Sequence, residues 1–143
     1  MKTKSRNSII VIGAILTIAA FLFTGCPQPE DDDSVSIPER INAFIADANA
    51  GNYSSMYTHT HPTADKYNAS KDGNFWSDDF DDSDHQLGTL NISGTVVTAS
   101  ITSSVTYSSD DSIRFTMLED GSDVWMIDKL EIDTGSGYDT IFE

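Results

Sequence analysis

Apolar residues follow three successive rhythms along this chain: an unbroken run, a helical stripe, and then strict alternation. The unbroken run is Ile9 to Phe23, interrupted only by Gly13 and Thr17 and preceded by Lys2, Lys4 and Arg6. At 15 residues it is shorter than the roughly 20 that span a bilayer, and it fits the about 7 to 15 of an export signal. It has no polar side that could serve as a solvent face, so a small domain could not cover it as a core helix. The pattern predicts an export signal within residues 1–25.

The helical stripe is Ile37, Ile41, Phe44, Ile45 and Ala48, spaced to fall on one side of a helix. Ser36 and Glu39 fit a capping box, Pro38 is tolerated in the first turn, and Gly51 is a natural stop. Tyr53, Met56 and Tyr57 predict a short second helix bounded by Pro62. Thr63 to Asp72 is ambiguous, with a further helical turn around Tyr67 as one reading, and Phe75, Trp76 and Phe80 form a third apolar edge inside an acidic stretch.

From Gln86 the period becomes two. Leu90 and Ile92 alternate with Asn91 and Ser93, and Ser93-Gly94 reads as a turn. Val97, Ala99, Ile101, Val105 and Tyr107 fall on one face of the next strand, with Ser103 breaking the apolar row. Ile113, Phe115 and Met117 make another strand. Glu119 to Ser122 turns the chain, and Val124 to Ile132 is the last strand expected. Helices followed by an antiparallel meander predict an α+β domain, with the N-terminal helices packed on a curved sheet of about four strands.

Charge sharpens the picture. All 23 acidic residues follow the signal, while only Arg40, Lys66, Lys71, Arg114 and Lys129 remain basic there. The net charge changes from −15 for the whole chain to 5 − 23 = −18 without residues 1–25. So acidic a body is repelled by phosphate backbones, which argues against nucleic-acid binding. Residues 26–36 read as a tether, because two prolines and the acids Glu30 to Asp33 repel one another and bury nothing. Residues 37–143 form the single domain. One cysteine, Cys26, allows no intrachain disulfide and no CxxC site.

Phe23-Thr24-Gly25-Cys26 resembles the lipobox of bacterial lipoproteins, with Phe23 where leucine is commoner. The resemblance implies cleavage before Cys26, transfer of a diacylglycerol to its thiol, acylation of its new amine with a palmitate-like chain, and residence in the cell envelope. Two or more chains anchor stably where one is marginal. A second resemblance rests on "INAFIADANAGNYSSMYTHTHP" (41–62) and "FTMLEDGSDVWMIDKLEI" (115–132). These stretches are similar to the first helices and closing hairpin of the NTF2-like superfamily, which includes ketosteroid isomerase and polyketide cyclases. That likeness implies a cone whose mouth can hold a small molecule. Tyr53, Tyr57, Phe75, Trp76 and Trp125 are the candidates to line it.

The remaining chemistry is thin. "DDFDDSDH" (78–85) suggests calcium, but neither EF-hand register places glycine and glutamate where that loop needs them. His59, His61 and His85 lack an HExxH-like spacing, and His59 reads as a cation favoured at a helix C-terminus. The tyrosine and buried carboxylate of a ketosteroid isomerase cannot be carried onto residues of this chain. No catalytic residue, metal or cofactor is therefore expected. The favoured reading is a noncatalytic lipoprotein that meets the membrane through acylated Cys26 and binds a small apolar ligand or an envelope protein. An isomerase or dehydratase, and a dimerising scaffold, are the alternatives.

Overall fold

The computed structural model describes residues 34–81 and 84–143, so the signal, Cys26 and most of the tether lie outside the described residues. Three helices precede six strands. They are α1 (Ile37–Asn49), α2 (Tyr53–Met56), α3 (Gly73–Ser77), β1 (Gln86–Leu87), β2 (Asn91–Ser93), β3 (Val96–Ser103), β4 (Ser112–Glu119), β5 (Trp125–Asp133) and β6 (Tyr138–Phe142). Among the described residues no helix is long and apolar enough to cross a membrane.

Helix α1 forms where its stripe places it. Ile37, Ile41, Phe44, Ile45 and Ala48 are all buried. Glu39 Oε2 accepts the Ser36 backbone N–H at 2.9 Å and the Ser36 hydroxyl at 2.6 Å, closing off the first turn. At the other end the chain turns at Gly51, whose φ is +68°. Gly51 N–H donates to Ala48 O, and Asn52 N–H donates to Asp47 O. These are the two bonds of a Schellman stop. Val35 and Ser36, which the sequence places at the tether's end, already belong to the fold: Val35 bridges Val124 in parallel, and Trp125 N–H donates to Val35 O at 3.1 Å.

All the strand pairings are antiparallel, in the order β1-β3-β4-β5-β6, with β2 also on β3. The α+β class holds, but the sheet has six strands where about four are expected. One difference is β6, which follows the Thr134 to Gly137 turn. There Asp133 Oδ1 accepts the N–H groups of Gly135 and Gly137 at 2.8 and 3.0 Å. The other is that the expected first strand divides into β1 and β2, both on the same side of β3. Strand β3 also ends earlier than its alternation suggests. It stops at Ser103, whose hydroxyl donates to Asp84 Oδ2 at 2.6 Å, and Val105 beyond it is 83% exposed.

Bulges reset the pleat. Thr116 pairs with Lys129 but Met117 pairs with Ile127, which leaves Asp128 as the extra residue on β5. Ile127 and Leu130 can therefore both face the core although three positions apart, and Lys129 and Glu131 occupy the opposite face. The interior is aromatic. The Phe44 ring meets Trp76, Phe80 and Phe115 edge-on at centroid separations of 5.3, 5.5 and 6.3 Å. Such pairs add about 0.5–1.5 kcal/mol each to burial itself. Trp76, fully buried, also donates its indole N–H to Ser70 O at 2.9 Å.

Candidate functional site

The five aromatic candidates separate in the structure. Trp76 is part of the core, and Phe75 packs against it with ring centroids 4.8 Å apart and against Phe142 at 6.4 Å. Tyr57 meets the Tyr67 ring edge-on at 6.1 Å. Trp125, half-buried, opens β5 beside Val35, and its carbonyl accepts the Arg40 Nε–H at 2.8 Å. Tyr53 alone of the five borders the concavity at the C-terminal end of α1.

That concavity has a volume of about 380 Å³ and is bordered by residues 48–51 with Tyr53, Asp81, Asp84 and Val105. The end of a helix contributes partial negative charge, and two aspartates add to it. Both are engaged: Thr106 Oγ1 donates to Asp81 at 3.3 Å, and Ser103 Oγ donates to Asp84. A second concavity, about 290 Å³, lies between Thr63, Ala64, Asp65, Asp128, Lys129 and Glu143. Among the described residues no three His, Cys, Asp or Glu side chains converge as a metal site would.

The three histidines are buried and separately employed. His85 is tied to α1 through Asn49, which accepts the His85 N–H at 2.8 Å and donates to the His85 carbonyl at 2.9 Å. His61 Nδ1 accepts from the Thr63 hydroxyl at 2.6 Å, and its backbone N–H donates to Ile127 O at 2.7 Å. His59 lies in a 3-10 turn after α2, 8% exposed. Its Nε2 is 2.8 Å from Asp47 Oδ2 and its Nδ1 is 3.2 Å from Arg40 Nη1. These side-chain partners on α1, rather than a helix dipole alone, fix its ring. Spacing along the sequence does not signal the cluster, because its partners Arg40 and Asp47 sit among exposed-looking polar positions of α1.

Two carboxyl groups are perturbed in opposite directions. Burial pushes Asp79 above the usual aspartate range and neighbouring Asp78 adds to it, while a hydrogen bond with Tyr107 and the field of Lys66 act the other way. The Arg114 hydrogen bond holds Glu131 below its usual range, against burial and with help from Lys129. Arg114 Nε reaches Glu131 Oε2 at 2.7 Å and stacks over the Tyr138 ring at 3.9 Å. Sequence reading misses Asp79 because it is one aspartate among many in the acidic stretch; the apolar Trp76 and Phe80 beside it are the available signal.

No protein-family model, curated protein or solved structure matches the chain.

Proposed function

We propose that this chain is a bacterial lipoprotein whose acylated Cys26 holds a noncatalytic, NTF2-like α+β domain at the cell envelope, where it binds a small ligand or an envelope protein. The observation that carries the anchor is the abutment of a 15-residue apolar run on Phe23-Thr24-Gly25-Cys26, followed at once by proline and acids. Binding by surface contact is supported by the interior, which Phe44, Trp76, Phe80, Phe115 and Phe142 occupy. The small ligand's place in this reading is the open hollow beside Tyr53.

Labelled fatty acid fed to cells tests the anchor. Label enters the wild type and is absent from Cys26→Ala; equal labelling of both ends the lipoprotein reading. For the hollow, a thermal-shift screen of small molecules is expected to find ligands whose stabilisation is lost in Tyr53→Ala.

The alternative of an isomerase or dehydratase has one observation in its favour. Asp79, raised by burial, is hydrogen-bonded to the hydroxyl-bearing Tyr107, and a partly buried carboxylate beside a phenol pairs a proton acceptor with an oxyanion donor. Turnover of a compact ketone that Asp79→Asn abolishes would favour that reading over simple binding.

A further inference from the structure

The cluster around His59 can exist as described in only one protonation state. Arginine has donors and no acceptor, so Nδ1 of His59, 3.2 Å from Arg40 Nη1, must offer its lone pair. The ring proton then sits on Nε2 and is donated to Asp47 Oδ2 at 2.8 Å. Asp47 is itself held in place, because its Oδ1 accepts from Asn52 Nδ2 at 3.2 Å. The ring is also flanked edge-on by Phe44, at 6.2 Å between centroids.

We propose that His59 and Arg40 form a proton-operated brace between α1, the 3-10 turn and β5, released when His59 takes up a second proton. With His59 neutral, the Arg40 guanidinium joins three segments. It donates to His59, to Trp125 O at 2.8 Å and, at 3.5 Å, to Thr58 O. A proton on Nδ1 removes the acceptor and sets one cation against another at hydrogen-bond distance. The imidazolium is kept by Asp47, with which it becomes an ion pair, so Arg40 is the member displaced. The charged groups around this centre are Asp47 and Arg40 from α1 and Asp120 from the β4–β5 turn, whose field reaches Arg40. Strand β5 contributes only the Trp125 carbonyl to the guanidinium. Asp120 therefore gives the released guanidinium a second, more exposed partner.

The test uses nitrogen-15 NMR of the domain. At about pH 7.5 the wild-type His59 ring is expected as the Nε2–H tautomer, with the Arg40 Nε–H protected from exchange. Lowering the pH until the ring reads as the imidazolium is expected to make Arg40 exchange, corrected for the intrinsic pH effect, about tenfold faster. His59→Gln can offer an oxygen to Arg40 and an amide N–H to Asp47 but cannot titrate, so its Arg40 exchange should stay flat. An imidazolium or an Nδ1–H tautomer at the higher pH overturns the brace, and that measurement needs no variant. An equal rise in His59→Gln and wild type overturns the switch as well.

Discussion

Two carboxyl side chains carry opposite pH signatures. Asp79 has a folded-state pKa raised chiefly by burial, so its ionised form costs stability once the pH rises through that value. Asp79→Asn, which keeps an oxygen for Tyr107, is expected to raise the midpoint of thermal unfolding at neutral pH. The gain should vanish at about pH 3, where the wild-type carboxyl is also neutral. An equal gain at both pH values would contradict the assignment. For Glu131 the sign reverses, because Arg114 and then Lys129 lower its folded value. Its contribution is present above the ordinary glutamate range and is lost as pH falls through the lowered value. Glu131→Gln should therefore destabilise at neutral pH and make little difference in strong acid. Neither signature was legible beforehand, since both depend on which partners the folded sheet and the aromatic core supply.

Among the elements, α1 was the most legible. Its stripe, its Ser36–Glu39 cap and its glycine stop each have a local cause, and the five stripe residues are the ones buried. Gly51 offers a clean test of that stop. A Cβ there would meet no atom within 4 Å, so Gly51→Ala is resisted only by its φ of +68°. The expected loss is about 1 kcal/mol in chemical denaturation, with Gly51→Asn closer to wild type. A loss of several kcal/mol would point to crowding that the structure does not contain. The sheet was legible where alternation ran unbroken, as in β4. It was missed where pairing is non-local: β6 is short, and its Tyr138, Thr140 and Phe142 find their places only against β5. The bulge at Asp128 likewise depends on β4 holding its own register.

For the whole molecule, charge dominates. The described residues and the two between them carry 19 acids against five bases, a surplus of 14 negative charges. All five bases are engaged in contacts with their own fold: Arg40 with backbone and His59, Lys66 with Ile141 O, Lys71 with Asn68 Oδ1 and the Tyr67 ring, and Arg114 and Lys129 with Glu131. Little cation is left to offset the acidic surface. Raising sodium chloride from about 0.02 to about 0.5 M should therefore stabilise the domain, by screening repulsion over a shrinking Debye length. A midpoint that falls with salt would mean that the ion pairs on the sheet outweigh the repulsion. The candidate hollow was the least legible feature at this scale. Only Tyr53 of the five aromatics reaches it, because the others were claimed by packing that hydrophobicity alone cannot tell from a binding surface.

The parallel bridge between Val35 and Val124 has a mechanical consequence. A pull arriving from the N-terminal side passes through Val35, and the Trp125 N–H to Val35 O bond lies directly in its path. A single short bridge of this kind opens under less load than the long ladder between β4 and β5 behind it. Stretched between its N-terminus and Glu143, the domain should first lengthen by a residue or two as Val35 detaches, and unfold only at higher force. An optical-trap record with one step and no early give would assign the first resistance to α1 itself.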